Sequence, residues 1–162
     1  MGDMPVSQHT IAGTVLTMPV RIRTANLHSA MFSVPADPAQ RLIDYSGLRV
    51  CEYLPGKAIV MQMLVRYVDG DLGRYHEYGT AIMVNPPGTQ RRGPRAHHDG
   101  VTREIPWEMK VSGLRARLGG ARLRLGDHPY AKELASLGLP KRALLSQSAA
   151  NVEMTFGDGH PI

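Results

Sequence analysis

From Lys57 to Val84 the chain reads as two apolar strands around a polar break: Lys-Ala-Ile-Val-Met-Gln-Met-Leu-Val-Arg-Tyr-Val, then Asp69-Gly70, then Asp-Leu-Gly-Arg-Tyr-His-Glu-Tyr-Gly-Thr-Ala-Ile-Met-Val. Asp-Gly suits the two central positions of a type I′ turn, both of which need positive φ, so the pattern predicts a two-residue hairpin. In that register Val68 faces Asp71 and Gln62 faces Glu77, which makes two polar side chains cross-strand neighbours on one face. Within the second strand, Tyr75, Glu77 and Gly79 share a face while His76 and Tyr78 point the other way.

A second alternation runs from Leu114 to Leu125 about Gly119-Gly120. It predicts another hairpin with Leu114, Ala116, Leu118, Ala121, Leu123 and Leu125 on one face and Arg115, Arg117, Arg122 and Arg124 on the other. Four like charges repel, so the arginine face must meet water, acids, a subunit contact or an anionic partner. Trp107 to Val111 and Asn151 to Phe156 read as further strands, with Val152, Met154 and Phe156 on one face. An early strand is expected around Ile11 to Leu16. Two short helices complete the set: one over 38 to 44, with Asp37 as N-cap and Pro38 in the first position, and one over 129 to 137, entered through Asp127-His128-Pro129 and stopped by Gly138. The fold class is therefore mainly β (α+β). Asn85 to Gly100 has no apolar period and reads as a loop or junction.

The length of 162 residues suits one domain, spanning 1–162. No window holds the apolar run a membrane span needs, and the start lacks a basic region leading into an apolar one, so a cytoplasmic protein is expected. Cys51 is the single thiol and reads as a buried, reduced structural residue. The net charge of +5 comes mainly from arginines at 91–95 and 115–124. There is no zinc-finger spacing, RNP-like motif or long basic helix, which argues against nucleic acid as the partner. No metal site or cofactor is expected: His97-His98-Asp99 has no third ligand at a useful spacing, and Tyr75-His76-Glu77 sends its His and Glu to opposite faces. Neither Ser146 nor Ser148 lies in a nucleophile elbow, and no phosphate-binding glycine loop is present.

The run Gly70-Asp71-Leu72-Gly73-Arg74-Tyr75-His76-Glu77-Tyr78-Gly79 resembles the acetoacetate decarboxylase family, in which a Gly-Leu-Gly turn enters a strand of the form Tyr-x-Glu-x-Gly. Gly120 to His128, Leu137-Gly138-Leu139-Pro140-Lys141-Arg142 and the final strand are similar to that family's closing segment, and the helix after Phe32-Ser33-Val34 fits it too. The resemblance covers roughly 20 to 88 and 101 to 156. It implies a curved, cone-like antiparallel sheet or barrel, a homo-oligomer and a small β-keto acid substrate. It also implies a mechanism in which a lysine forms a Schiff base that serves as electron sink while CO₂ leaves. By the same resemblance Glu77 and Gln62 stand at catalytic positions, Gln62 where a second glutamate is usual, and Tyr75 and Gly79 belong to the substrate-binding strand.

The family's reactive lysine follows a proline between the Glu strand and the closing segment. Here Thr89 to His98 contains no lysine, as if an internal segment near 89–98 were missing, and Lys141 belongs by its neighbours to the closing segment. A family arginine near the pocket entry has only loose counterparts in Arg21 or Arg23. The expected function is thus a Schiff-base carbon–carbon lyase by descent, impaired in imine formation. The alternatives are a non-catalytic binding or subunit-assembly remnant of the fold and an arginine-face polyanion binder.

Overall fold

The computed structural model describes residues 4–85, 103–104 and 106–161. The His97-His98-Asp99 motif, the arginines at 91–95 and the 89–98 stretch lie outside them. In chain order the strands are β1 (Ser7–Ile11), β2 (Thr14–Met18), β3 (Val20–Pro35), β4 (Arg49–Val50), β5 (Glu52–Leu54), β6 (Lys57–Gly70), β7 (Tyr75–Ile82), β8 (Val84–Asn85), β9 (Arg103–Glu104), β10 (Trp107–Ser112), β11 (Arg115–Leu118), β12 (Leu145–Phe156) and β13 (His160–Pro161). Helix α1 (Ala36–Ile43) follows β3 and α2 (Pro129–Ala135) precedes β12. No helix among the described residues is long and apolar enough to cross a membrane.

Seven strands form the principal antiparallel sheet, with β12, β3 and β6 as its central rows. Outside β12 run β10 and β11, and outside β6 run β5 and β7. The sheets are curved and antiparallel and do not close into a barrel, in keeping with the expected mainly β fold with short helices. Strands β10 and β11 keep one register along β12, Ser112 opposite Asn151 and Arg115 opposite Ser148, and are one edge strand broken at Gly113. Gly113 has φ +63°, and a β-carbon there would lie 2.7 Å from the Ala150 β-carbon, so the break needs glycine for both conformation and space.

The sheet buries opposite faces at its two ends. At one end Phe32, Val34, Ala58 and Val60 pack with α1 (Ala36, Ala39) and with Leu134 and Leu137. At the other end the opposite face packs Ile22, Ala25, Val65, Tyr67 and Val152 against Leu16 and Met18 of the β1–β2 hairpin. That is why burial along β6 moves from even-numbered positions (Ala58, Val60, Gln62) to odd-numbered ones (Val65, Tyr67) without a bulge in its pairing with β3 there. Beyond Gln62 the even face loses its helical cover, and Leu64 is 56% exposed.

Two expected hairpins form differently. Asp69 and Gly70 are not a turn but the end of β6, paired with Thr24 and Ile22 of β3. The chain reverses over Asp71 to Arg74, where Gly73 takes φ +78° and its N–H donates to Gly70 O at 3.1 Å. Gly70 is needed for close approach: a β-carbon would sit 3.0 Å from Ile22 Cδ1 and 3.1 Å from Arg21 O. Arg23 fixes the loop by donating from Nε to Asp69 at 2.8 Å and from Nη1 to Asp71 at 2.7 Å. Val68 therefore does not face Asp71.

Around Gly119-Gly120, β11 pairs with β12 instead of with the residues that follow it. Residues 121 to 123 turn back along 141 to 143, with Ala143 N–H donating to Ala121 O at 3.0 Å, and Leu123 and Leu125 pack on the helix-covered core. Leu114 and Leu118 are left 59% and 86% exposed, so the expected apolar face is split. All four arginines of the segment are exposed, as expected.

The early strand expected at Ile11 to Leu16 straddles a turn, because β1 and β2 pair about Ala12 and Gly13. Helix α1 begins earlier than the cap signal suggested: Pro35 is its N-cap, and Asp37 lies in the first turn, where its charge complements the helix dipole. Helix α2 starts as expected, with His128 as N-cap accepting from Tyr130 N–H at 3.1 Å through Nδ1. Cys51 is buried and unpaired, in line with a structural role.

Candidate functional site

The β6–β7 register places Gln62 opposite Thr80 and Val65 opposite Glu77. Gln62 and Glu77 therefore lie on opposite faces of the sheet, which corrects the expected cross-strand pair. The cause is the longer loop through Gly73, which offsets the two strands by an odd number of residues and so exchanges the faces of one strand.

Gln62 is 5% exposed at the edge of the helix-covered core. Its Oε1 accepts from Tyr78 Oη at 2.6 Å and from Thr80 Oγ1 at 2.9 Å. Its Nε2 is buried and has no hydrogen-bond partner among the described residues. From α2, Tyr130 completes the cluster: its hydroxyl is 2.5 Å from Thr80 Oγ1 and its ring meets Tyr78 edge-on at 6.0 Å. Burial, with a smaller effect from Tyr130, holds the Tyr78 phenol above its ordinary value, so it stays a donor.

Two adjoining cavities open on this face where the helical cover ends. The first, about 420 Å³, is lined by Gln62, Tyr78, Leu64 and Ala30 from the β3–β6–β7 part of the sheet and by Arg115, Arg117 and Arg122 from β11 and the segment after it. The second, about 580 Å³, adds Asn26, Arg66 and His76, and His28, Leu64, Arg115 and Ser148 border both. Ser146 and Ser148, adjacent on one face of β12, line the first cavity without any catalytic elbow. Sequence reading missed that these arginines line one cavity with Gln62. The same-face spacing of Arg115 and Arg117 was the available signal, but only the pairing of β11 with β12 brings it here.

On the opposite face Glu77 accepts a 2.9 Å hydrogen bond from Tyr67 Oη, and the Tyr67 ring stacks on Tyr75 at 4.2 Å. Burial and then the Glu77 hydrogen bond push the Tyr67 phenol well above its ordinary range. Tyr75 is also raised, by burial first and by the Glu77 charge second. Gly79 shares this face, where a β-carbon would lie 3.1 Å from Met63 Cε and 3.9 Å from Glu77 Oε1. Tyr75, Glu77 and Gly79 do lie together, as strand alternation required, and Glu77 also borders the second cavity. Arg21 and Arg23 line neither cavity; Arg23 clamps the hairpin loop instead.

A further polar cluster was not legible in the sequence. His9 Nε2 is 2.8 Å from Asp158 Oδ1 and 3.2 Å from Ser7 Oγ, and Ser7 Oγ also donates to Asp158. It is no nucleophile relay, because one ring nitrogen faces both partners and the carboxylate contacts the serine directly. No group of three metal-ligating side chains occurs among the described residues.

These features define an open, curved antiparallel β protein with a cationic cleft over a buried amide. A model of the acetoacetate decarboxylase (ADC) family matches residues 3–98, more than half of the 162-residue chain, and the protein belongs to that family. The similarity seen from 101 to 156 lies beyond the matched residues. No curated protein and no solved structure matches the chain.

Proposed function

We propose that the protein receives a small β-keto acid in the cleft above Gln62 and is impaired in the lysine-imine step that the family's decarboxylation requires. The observation that carries this reading is the placement of the lysines. The chain has none between Lys57 and Lys110, and no lysine is among the described residues that line either cavity. Lys57 pairs with Pro35 at the far end of the sheet. Lys110 is 3.6 Å from Glu153 across the β10–β12 ladder, with its side chain 74% exposed. Lys132 and Lys141 are exposed as well.

An imine requires a neutral amine, and an ordinary exposed lysine near pKa ~10.4 is less than about 0.1% neutral at pH 7. Without the imine there is no electron sink for the carbanion left by CO₂, and covalent catalysis is lost. In this reading Gln62 lies under the ligand, while Glu77, with Tyr75 and Gly79 on its face, backs the second cavity from the strand edge. A second copy of the chain is the expected partner: the exposed Trp107, Met109 and Val111 along β10 support self-association.

The test is incubation of the purified chain with acetoacetate and borohydride, followed by intact-mass measurement and a CO₂ assay. No adduct and no CO₂ release above the uncatalysed rate are expected. A stoichiometric adduct mapped to Lys110 or Lys141, with CO₂ release, overturns the reading.

A further inference from the structure

Three guanidinium groups line the first cavity, and among the described residues no aspartate or glutamate lines it. Arg115, Arg117 and Arg122 make no ion pair among the described residues. Arg115 and Arg117 stand two residues apart on one face of β11, roughly 6.7 Å along the strand. Arg122 enters from beyond the Gly119-Gly120 turn, where both glycines have positive φ. The turn is closely fitted to the site: a β-carbon on Gly120 would collide with Ser146 Oγ and lie 3.1 Å from Arg117 Cδ. Like charges gathered around one cavity repel unless an anion sits among them.

The β3, β6 and β7 residues that line the cavity include no acid and no arginine. Gln62 supplies an amide whose Nε2 is a buried donor without a partner, and Leu64, Ala30 and Phe32 supply apolar surface. A monocarboxylate would neutralise one of the three arginines, whereas a dicarboxylate would neutralise two, its ends answering the paired spacing of Arg115 and Arg117. A carbonyl oxygen between them suits the Gln62 donor.

Resting on the keto-acid reading above, we propose that this cleft selects a dicarboxylic keto acid, with its two carboxylates on Arg115 and Arg117 and its carbonyl toward Gln62. The selecting arginines lie outside residues 3–98, the part matched to the family, so this specificity is a property of the chain's own later strand.

Calorimetric titration of the whole chain with 3-oxoglutarate, a β-keto diacid with its carbonyl midway between the carboxylates, and with acetoacetate tests this. The diacid is expected to bind about ten-fold more tightly, the gain of one charge-assisted pair. Arg115→Gln and Arg117→Gln, both exposed edge positions, are expected to bring diacid affinity down to that of acetoacetate. Gln62→Glu is expected to weaken the diacid further by placing a negative charge beneath it. Equal affinity of the unmodified protein for the two acids overturns the proposal without recourse to variants, as does full diacid affinity in Arg115→Gln and Arg117→Gln. Tighter binding to a DNA duplex than to either acid, falling steeply with salt, also overturns it. A borohydride-trapped lysine adduct would sink the impaired-imine reading and leave this selectivity standing. Failure of both acids to bind would sink both.

Discussion

Tyr78 Oη donates a 2.6 Å hydrogen bond to Gln62 Oε1 across the β6–β7 ladder, joining a residue at the cleft to one buried at the edge of the core. The geometry follows from register: Gln62 opposes Thr80, and Tyr78 lies diagonally on the same face, opposite Leu64. Gln62 thus offers two accepted bonds on Oε1 and an unpartnered donor on Nε2, a mixed contribution to stability. Losing the Tyr78 hydroxyl leaves Gln62 with only Thr80, and Tyr78→Phe should destabilise the fold by about 1 kcal/mol. The same change in a Gln62→Met background should cost close to nothing, because no acceptor remains. Urea unfolding of the four proteins as a double-mutant cycle measures this, and equal costs in both backgrounds would show that the bond contributes nothing.

The clamp of Arg23 on Asp69 and Asp71 makes acid stability readable at one residue. Arg23 hydrogen bonds come first among the causes that hold both carboxyls below their ordinary value of 3.8. A depressed carboxyl contributes stability that is full above its unfolded pKa and is lost as pH falls through the folded one. The wild type should therefore exceed Arg23→Gln in stability at neutral pH, and the gap should close below about pH 4. Denaturant midpoints measured from pH 7 to pH 2.5 check it, and a gap that persists undiminished to the acid end contradicts it. Asp69 is exposed, so the effect should also shrink with added salt.

Local pattern carried the strands and the capping of α2, but not the pairing of segments distant in sequence. Alternation is enough to place Tyr75, Glu77 and Gly79 on one face, because that follows from the period of a strand. Asp69-Gly70 has the chemistry of a tight turn, yet Arg21, Ile22 and Arg23, far upstream, draw it into β3 and pass the reversal to Gly73. The arginine segment shows the same limit. Leu114 to Leu125 alternates cleanly on both sides of Gly119-Gly120, but β12 competes for β11 and wins. Each of these changes moves a candidate residue: the first separates Glu77 from Gln62, and the second brings Arg115 and Arg117 to the cleft.

Gly113 marks where the edge strand must break to follow the irregular pairing of β12 with β3 near Ala150. Its φ of +63° disfavours any side chain, and the Ala150 β-carbon occupies the space one would need. Gly113→Ala should destabilise by about 1–3 kcal/mol. Adding Ala150→Gly should recover the steric part while leaving the conformational part. Thermal melts of the single and double variants distinguish the two contributions, and a single variant as stable as wild type would mean that the edge strand can rearrange at no cost.

Glu77 and Tyr67 form the remaining testable pair, and the outcome bears on what Glu77 does. Burial and the hydrogen bond to Glu77 both oppose ionisation of the Tyr67 phenol, the burial more strongly. Glu77→Gln removes the charge and keeps the burial, so the Tyr67 titration should move down while staying above the ordinary value of 10.0. Tyrosinate absorbance, compared with that of a Tyr67→Phe control to isolate the residue, reads the shift. The sign of the stability effect follows: a raised phenol contributes stability that is full below its unfolded pKa and is lost as pH rises toward the folded one. Wild type should therefore exceed Glu77→Gln by about 1 kcal/mol near neutrality, and the difference should narrow above pH ~10. Because the carboxylate faces Tyr67 on the far side of the sheet from Gln62, Glu77→Gln should also leave keto-acid affinity within about two-fold of wild type, as expected of a change that removes no ligand contact. An unmoved Tyr67 titration together with abolished ligand binding would instead place the Glu77 carboxylate in the cleft, beside the ligand.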